Sequence, residues 1–295
     1  MLFSNQQLKT DFEAFLKQTI DLKQSNDTKQ LTLNIIQIGN NLSSCKYISL
    51  KQKIGSRIGI NVILHHFEDN QLELESSLKA VVGDVSRSNQ GLNQGLIFQL
   101  PISSHLEYLI NEVPVDCDVD MLGINSQSLW SAGLLPPTVG AVDLVLKQML
   151  KVDYDNFGQL LRLKLDLSSY RIAIIGQGKL VGKPLVKYCL NRRATIVIID
   201  KDTFNPQSLV KDCDIVLSGA GVAKLVNSTW LKSTAIVIDV ATSGENGVIV
   251  GDVDQADLPE SIYLCPSPKG VGPITVLYLF WNLYQLYNLQ KRSLN

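Results

Sequence analysis

The chain has 295 residues, which predicts two domains if a domain takes about 150 residues. Hydrophobic residues make up 45% and charged residues 19%, a globular composition that excludes disorder as the main state. The chain has 27 Lys and Arg residues and 28 Asp and Glu residues, so its net charge is −1. This charge gives no overall basic field that would attract nucleic acid or an anionic membrane.

The sequence also lacks the marks of export, membrane insertion and metal binding. No apolar run approaches the ~20 residues of a membrane span, and the N-terminus lacks the basic and apolar stretches of a secretory signal. The five cysteines fit neither a disulfide framework nor a Cys-x-x-Cys metal site, and the chain has only three histidines. We therefore predict a cytoplasmic protein with no metal site, no nucleic-acid partner and no membrane partner.

The first half of the chain alternates between helical and strand periodicity. Apolar residues at helical spacing between Leu8 and Ile20 predict a first amphipathic helix. Three segments rich in Leu and Ile predict strands, at 31–39, 60–67 and 95–101. Two segments between them predict helices, at 44–57 and 71–82. This alternation with short loops is typical of parallel βαβ units.

A second series of strands follows residues 151–170, where the pattern weakens. Four short β-branched runs predict these strands, at 170–176, 194–200, 213–221 and 234–241. Unbroken apolar runs are typical of parallel strands buried on both faces. A last helix is predicted over 275–289.

These elements predict an α/β fold with two α/β domains around a cleft. The first is an N-terminal catalytic βαβ domain, formed by residues 1–140 together with 275–295. The second is a C-terminal Rossmann-type domain with a parallel sheet, formed by residues 141–274.

A glycine-rich turn follows the first strand of the second series. Gly176, Gly178 and Gly182 form the pattern G-x-G-x-x-x-G between a predicted strand and a predicted helix. Such glycines permit a tight turn and let a pyrophosphate approach the helix N-terminus, where free N–H groups point outward. The motif therefore indicates a dinucleotide site, with a plain strand-to-helix turn as the alternative.

Asp200 ends the next predicted strand, 24 residues after Gly176. An acidic residue at this distance is expected to bind the 2′-hydroxyl of the adenosine ribose, and it would repel a 2′-phosphate. NAD is therefore favoured over NADP unless Lys201, Arg192 or Arg193 compensates. The alternative is that Asp200 only caps the next turn.

Tyr47 and Lys51 are spaced i and i+4 on a predicted helix, so they share one face. A Tyr-x-x-x-Lys pair also occurs in short-chain dehydrogenases, but there it follows the glycine turn, whereas here it precedes the turn by more than a hundred residues. The order of the two motifs along the chain therefore excludes a short-chain dehydrogenase. Taken alone, Lys51 is better explained as a solvated helix lysine.

Six segments resemble motifs of the bifunctional methylenetetrahydrofolate dehydrogenase/cyclohydrolase family, in the same order along the chain. The first is Ser44-x-x-Tyr47-x-x-x-Lys51 with the following Gly59-Ile60. The others are residues 95–101 (GLIFQLP), 118–120 (DVD), 176–184 (GQGKLVGKP), 251–253 (GDV) and 266–275 (PSPKGVGPIT). Together they extend over nearly the whole chain.

The resemblance implies an enzyme that oxidises 5,10-methylenetetrahydrofolate with NAD or NADP and hydrolyses the methenyl product to 10-formyltetrahydrofolate. Lys51 would be the main catalytic group, either as an ammonium beside the folate nitrogens or as a neutral amine that activates water. Gln99 would orient Lys51, Tyr47 would stack on the folate ring system, and Asp120 would accept hydrogen bonds from the pterin amino group. The alternatives are a strand-end amide, core packing and a turn-forming aspartate.

The resemblance also implies the other site residues and the assembly. Four further residues would contact the folate: Leu100, Pro101, Gly272 and Pro273. The cofactor-binding residues would be Gly176, Gln177, Gly178, Val181, Gly182, Lys183, Pro184, Asp200, Lys201, Ala220, Gly221, Ala241 and Thr275. A homodimer through the Rossmann-type domain is implied as well.

The chain departs from the family pattern mainly on the cofactor side. Gln177-Gly178 replaces the usual Arg-Ser, and Asp200-Lys201 replaces the usual His-Ser. Both changes remove groups suited to a 2′-phosphate, in agreement with the preference for NAD. Met121 and Lys269 stand where the family has glycine.

Two other functions remain as alternatives. A shikimate-dehydrogenase-like enzyme would share the domain order but would not explain the segments VGPIT and FQLP. A folate- or dinucleotide-binding protein that has lost catalysis would explain the altered cofactor loops, although Lys51 and Gln99 argue against it. The leading hypothesis is a bifunctional folate enzyme of one-carbon metabolism.

Overall fold

A computed structural model describes residues 1–27, 29–87, 93–241, 243–245 and 248–294. Contacts divide the chain into two compact units. The unit called N-terminal below comprises Glu13–Pro137 and Val276–Asn295, and the central unit comprises Met1–Phe12 and Thr138–Thr275. Within the described ranges, no helix is long and apolar enough to cross a membrane.

The helices and strands follow one another in an alternating order. They are α1 (Gln6–Asn26), β1 (Thr32–Ile38), α2 (Leu42–Ile58), β2 (Asn61–Phe67), α3 (Leu74–Arg87), β3 (Gln94–Phe98), α4 (Ser128–Ser131), α5 (Pro137–Met149), α6 (Phe157–Arg162), β4 (Arg171–Ile175), α7 (Gly182–Asn191), β5 (Thr195–Ile199), α8 (Pro206–Val210), β6 (Ile215–Ser218), β7 (Ile236–Asp239), β8 (Ser243–Glu245), β9 (Val248–Val250), β10 (Tyr263–Cys265) and α9 (Val271–Leu294). Short 3-10 helices cover Ser104–Glu112, Ile124–Gln127, Ser228–Trp230 and Gln255–Asp257.

The N-terminal unit contains a parallel sheet in the order β2-β1-β3. All seven residues of the central strand β1 are buried, and its polar side chains Asn34 and Gln37 are hydrogen-bonded, to Oε1 of Gln94 and to the carbonyl of Gly39. Helix α2 begins after Asn41, whose side chain accepts hydrogen bonds from the N–H groups of Ser43 and Ser44. It ends at Gly59, which adopts the left-handed conformation with φ 82°.

Helix α9 supplies part of the core of the N-terminal unit. The buried side chain of Asn282 donates hydrogen bonds to the carbonyl oxygens of Val119, at 3.1 Å, and Leu135, at 2.9 Å. A Cβ added to Gly55 or to Gly95 would crowd the side chains of Phe280 and Leu283 respectively, at 3.3 and 2.9 Å. The C-terminal helix therefore packs closely against the sheet and α2.

The central unit contains a parallel five-stranded sheet in the order β10-β7-β6-β4-β5. Numbered within the unit, this is the doubly wound order 2-1-3-4-5, with the strand order reversing between β4 and β6. Ligands of such sheets bind beyond the carboxyl ends of the strands at this reversal. The predicted α/β class with two parallel sheets is confirmed.

The two edges of the five-stranded sheet differ. At β10, the N–H of Phe3 donates to the carbonyl of Leu264 at 2.7 Å, and the N–H of Leu264 donates to the carbonyl of Met1 at 3.0 Å. The first residues of the chain therefore cover that edge, and β5 forms the other edge. These hydrogen bonds explain why Met1–Phe12 group with the central unit, whereas the sequence placed all of residues 1–140 in the first domain.

Several boundaries differ from the sequence prediction. The predicted domain boundary at 140/141 lies inside α5, and the last helix begins at Val271 rather than at 275. Pro273 is tolerated there because the first-turn N–H groups of a helix have no intrahelical partner. The strands β8, β9 and β10 were not predicted, because three residues are too few to show a periodicity.

Candidate active site

The side chains of Lys51 and Gln99 form a pair in the N-terminal unit. Lys51, on α2, is only 8% exposed, and its Nζ donates a hydrogen bond to Oε1 of Gln99 at 2.7 Å. Gln99 follows β3, and its backbone N–H donates to the carbonyl of Ile36 on β1 at 2.8 Å. Lys51 is therefore not a solvated helix lysine, and both partners are held by regular structure.

Asp120 is the acidic neighbour of this pair. Burial lowers the pKa of Lys51, and the negative charge of Asp120 opposes part of that shift. Burial likewise raises the pKa of Asp120 to about 6, against the effect of the Lys51 charge. The site thus combines an amine and a carboxyl group, each shifted toward its neutral form.

A buried aspartate shapes the loop that follows Asp120. Oδ2 of Asp118 accepts hydrogen bonds from the N–H of Gly123 at 2.8 Å and from the hydroxyl of Ser126 at 2.6 Å. Burial raises the pKa of Asp118, and these hydrogen bonds oppose the shift. Met121 has φ 55°, a left-handed conformation that glycine adopts without strain, and its side chain is buried.

Ser44 links α2 to the segment after Gln99, a role that the sequence did not predict. Its hydroxyl donates to the carbonyl of Leu100 at 2.9 Å, and Nε2 of Gln99 donates to the same carbonyl at 3.2 Å. Ser44, Tyr47 and Lys51 are spaced i, i+3 and i+7, so they lie along one face of α2. That spacing is the signal that could have identified Ser44. Tyr47 is half-buried on this face.

The glycine turn of the central unit depends on missing side chains. Gly176 has φ 92°, and a Cβ there would lie 2.6 Å from the carbonyl oxygen of Gly219. A Cβ on Gly182, the first residue of α7, would overlap the carbonyl oxygen of Gly176. A Cβ on Gly178 would meet no atom within 4 Å. The turn is therefore closed tightly at two glycines and open at the third.

The loop after β6 lies against this turn. A Cβ on Gly176 would lie 2.7 Å from Cα of Ala220, and a Cβ on Gly219 would lie 2.6 Å from Cγ1 of Val181. The structure therefore brings together the expected cofactor residues Gly176, Val181, Gly182 and Ala220 at the reversal of strand order.

The remaining expected residues lie on nearby or separate elements. Nε2 of Gln177 donates to the carbonyl of Gly176 at 2.8 Å, and the N–H of Lys183 donates to the carbonyl of Gly178 at 3.1 Å. Ala241 is buried after β7. Pro184 lies in the first turn of α7, and Gly272, Pro273 and Thr275 lie near the start of α9.

Asp200 follows β5 and shapes a turn. Its Oδ1 accepts hydrogen bonds from the hydroxyl of Thr203 at 2.8 Å and from the N–H of Asp202 at 3.1 Å. The bond from Thr203 contributes most to lowering the pKa of Asp200, so the carboxylate is ionised at neutral pH. Asp200 does cap the turn, and within the described residues its Oδ2 accepts no hydrogen bond.

The cations that could neutralise Asp200 have other carboxylate neighbours. Nη2 of Arg192 lies 3.9 Å from Oδ1 of the buried Asp143, and Arg193 forms an ion pair with Asp166. Nζ of the exposed Lys201 lies 3.9 Å from Oδ2 of Asp202. No ion pair in the described ranges joins any of the three to Asp200.

Asp239 is a buried carboxyl group at the end of β7. Its Oδ2 accepts a hydrogen bond from the N–H of Val253 at 3.0 Å, and its Oδ1 has no hydrogen-bond partner in the described part of the chain. Burial raises the pKa of Asp239 to about 7. Its environment therefore favours the protonated form.

Replacing Asp239 by Asn is expected to remove a pH-dependent loss of stability. Because the pKa is raised from 3.8 to about 7 on folding, the wild-type protein loses stability as pH rises between these values. The free energy of unfolding of the variant, relative to wild type, should increase by about 3 kcal/mol between pH 5 and pH 8. Urea unfolding at both pH values measures this difference. Asp254→Asn is the control, and an equal difference at both pH values would contradict the prediction.

The features of the two units are those of an enzyme that binds a dinucleotide. A doubly wound parallel sheet with a glycine turn at its strand reversal is typical of a dinucleotide-binding domain. A buried amine with a shifted pKa, held by an amide and beside a carboxyl group, is typical of an enzyme active site.

Comparison with known proteins gives the family. Residues 3–120 match the catalytic-domain model of tetrahydrofolate dehydrogenase/cyclohydrolase, and residues 157–291 match the NAD(P)-binding-domain model. The chain is 32% identical over 286 residues to the bifunctional protein FolD of Acholeplasma laidlawii, covering 94% of this chain and 96% of that protein. It is 28% identical over 274 residues to FolD of Clostridium botulinum, covering 90% of each. The crystal structure of the bifunctional enzyme FolD from Campylobacter jejuni has a TM-score of 0.84 at 25% identity, covering 98% of this chain and 99% of that one.

This chain belongs to the tetrahydrofolate dehydrogenase/cyclohydrolase family. The predicted family, the fold with a catalytic domain and an NAD(P)-binding Rossmann-type domain, and the enzyme class are confirmed. The shikimate-dehydrogenase-like alternative is not favoured.

Proposed function

We propose that Lys51 is the central catalytic group for oxidation of 5,10-methylenetetrahydrofolate to the methenyl form and for hydrolysis of that form to 10-formyltetrahydrofolate. The observation that carries the proposal is the hydrogen bond from the buried Lys51 to the half-buried Gln99. Within the described residues, Lys51 forms no ion pair, and a buried amine without one is costly to retain, which supports a chemical role over a structural one.

In the hydrolysis, Lys51 serves as the general base. Burial lowers its pKa and so raises the neutral fraction of the amine near neutral pH. Water attacks the methenyl carbon, a C–O bond forms, and Lys51 takes the proton that the water loses. As the C=O bond of the formyl group forms, the bond from this carbon to one folate nitrogen breaks and the proton of the new hydroxyl group passes to that nitrogen. Lys51 then releases its proton to solvent. The neutral-amine alternative from the sequence is thus the one that we adopt.

The other residues of the site orient the amine and the substrate. Oε1 of Gln99 fixes the position of Nζ of Lys51. Asp120, with a pKa of about 6, is mostly ionised at neutral pH and accepts hydrogen bonds from the pterin amino group. Tyr47 stacks on the folate ring system. The remaining folate contacts are Leu100, Pro101, Gly272 and Pro273.

An assay of the purified protein with methylenetetrahydrofolate, run separately with NAD and NADP, tests the function. We expect formation of the reduced nicotinamide, followed by loss of the methenyl chromophore. Shikimate is the control substrate, and no turnover is expected with it. Folate binding without turnover would instead support the alternative of a binding protein that has lost catalysis.

The residues of the glycine turn fit a nicotinamide dinucleotide. The open space at Gly178 and the start of α7 suit a pyrophosphate, and Asp200 suits a ribose diol. When bound, the nicotinamide would accept the hydride from the one-carbon unit. Gln177, Val181, Lys183, Pro184, Lys201, Ala220, Gly221, Ala241 and Thr275 complete the proposed cofactor site.

We propose further that NAD is preferred over NADP. The support is electrostatic, since Asp200 is ionised and neither Arg192 nor Arg193 pairs with it. A 2′-phosphate beside Asp200 would meet an uncompensated negative charge.

Replacing Asp200 by Ser is expected to improve the use of NADP. Without the carboxylate, kcat/KM for NADP should rise by about tenfold or more, whereas kcat/KM for NAD should fall because a ribose hydrogen bond is lost. Steady-state kinetics with both cofactors measure the change. Asp212→Ser, which removes an exposed acid elsewhere in the same unit, is the control. An unchanged NADP/NAD ratio would show that Asp200 does not face the ribose.

We also propose a homodimer through the central unit, at the sheet edge formed by β5. The other edge is covered by the first residues of the chain, whereas β5 exposes Ile198, and Phe204 in the next loop is 93% exposed. Light scattering of wild type and Ile198→Lys tests this interface, with a dimer expected only for wild type. The cytoplasmic location stays a prediction from the sequence.

A further inference from the structure

Asp252 is a buried carboxylate that accepts hydrogen bonds from the end of β6 and from the loop that follows it. It is 0% exposed, and its Oδ2 accepts from the hydroxyl of Ser218 and from the N–H of Ala220, both at 2.7 Å. The N–H of Gly221 reaches Oδ2 at 3.3 Å, and the N–H of Val222 reaches Oδ1 at 2.8 Å. The motif Gly-Asp-Val was recognised in the sequence, but no role was given to its aspartate.

Three successive N–H groups that converge on one point form an anion-binding nest. In other proteins such a concavity holds a phosphate, but here Asp252 of the same chain fills it. Backbone bonds hold the two segments together, since Lys224 donates to the carbonyl of Gly251 at 3.1 Å and Val226 donates to that of Asp252 at 2.9 Å.

The nest lies beside the glycine turn. Ala220 is in close contact with Gly176, and the loop follows β6 at the reversal of strand order. A Cβ on Gly221, which has φ 71°, would meet no atom within 4 Å, so the loop borders open space at that residue. Two possible phosphate sites therefore adjoin in this unit, the glycine turn and the loop, and Asp252 occupies the loop as an internal anion.

We propose that Asp252 is a positioning residue that fills the nest of residues 220–222 and thereby excludes phosphate from this loop. Because the N–H groups of residues 220–222 are bonded to Asp252, they are not available to a ligand phosphate, and the loop would contact a part of the cofactor without phosphate, the nicotinamide riboside. The pyrophosphate therefore binds at the glycine turn, and the dinucleotide binds in a single position along the site. This inference rests on the proposed role of Ala220 and Gly221 in cofactor binding.

The variant Asp252→Asn tests the proposal, because it keeps the size of the side chain and removes its charge. The Kd for NADH, measured by fluorescence titration, should rise about tenfold to a hundredfold, as expected when hydrogen bonds to a charged acceptor are weakened. The KM for NAD should rise more than kcat falls. Hydrogen exchange of the amides at 220–222 should become faster in the variant.

Two further measurements separate positioning from simple loss of structure. Hydrolysis of methenyltetrahydrofolate needs no dinucleotide, so its rate should be unchanged in Asp252→Asn. In Asp252→Ala the nest is emptied, and inorganic phosphate should then compete with NADH more strongly than it does in wild type, where the glycine turn alone can bind it. Asp254→Asn, two residues away, is the matched control and should bind NADH as wild type does.

Other outcomes would overturn the proposal. An unchanged Kd for NADH despite faster amide exchange would show that the loop does not position the cofactor. Equal losses of hydrolysis and of NADH binding would show that Asp252 acts only in folding. If wild type itself bound no NADH, the proposed cofactor site would fail instead, whatever the variants did.

Discussion

The Lys51→Met variant is expected to lose hydrolysis of methenyltetrahydrofolate almost completely. Removing a general base lowers a rate by roughly 100-fold to 10,000-fold, and Met offers no group that can take a proton from water. The measurement is the decay of the methenyl chromophore in a buffer where the uncatalysed reaction is slow. Retained hydrolysis would show that the key group is misassigned.

The fold should persist in Lys51→Met. Met leaves Oε1 of Gln99 without its donor, which costs about 1–3 kcal/mol, but the variant also no longer buries an amine. Circular dichroism and thermal unfolding check this balance. Lys53→Met is the matched control, because Lys53 lies on the same helix and is exposed. It should hydrolyse the methenyl form at the wild-type rate.

The Gly182→Ala variant is expected to lose most of its dehydrogenase activity because the added methyl group distorts the glycine turn. The added methyl group would overlap the carbonyl oxygen of Gly176, so the turn must open. Overpacking of this kind destabilises by about 1–3 kcal/mol and displaces the start of α7 from the geometry that a pyrophosphate requires. We expect a fall of at least about 100-fold in kcat/KM for NAD, which corresponds to about 2.7 kcal/mol.

Gly178→Ala is the matched control for stability. The same methyl group meets no atom within 4 Å there, so the melting temperature should stay near that of wild type. If the open space at Gly178 receives the pyrophosphate, this variant should still bind NAD more weakly. A Gly182→Ala protein with wild-type stability and normal kinetics would refute the close approach of the two glycines.

The sequence predicted those features that leave a local pattern. Residues 172–175 of β4 are an unbroken apolar run, and the glycine turn is a contiguous motif, so both can be predicted from the sequence alone. Lys51 and Gln99 are 48 residues apart, and only the family resemblance linked them before the hydrogen bond was seen.

The features that the sequence did not predict depend on contacts between distant residues, which produce no periodic pattern in the sequence. Asp252 binds Ser218 across 34 residues, and neither residue stands out from its neighbours by composition. The addition of Met1–Phe12 to the central unit depends on hydrogen bonds to Leu264, more than 250 positions away. Burial of a polar side chain, as at Asp239, is likewise a tertiary property that no short window of sequence contains.

Each compact unit is assembled from two separate stretches of the chain, and α9 is divided between them. A chain that ends near residue 137 would lack the strands of the central unit. A chain that ends near residue 275 would lack the part of α9 that contains Asn282 and completes the core of the N-terminal unit. A cut at either position therefore cannot leave both units complete. Point substitutions, or a circular permutation that rejoins the two stretches, are the routes by which the two reactions can be studied apart.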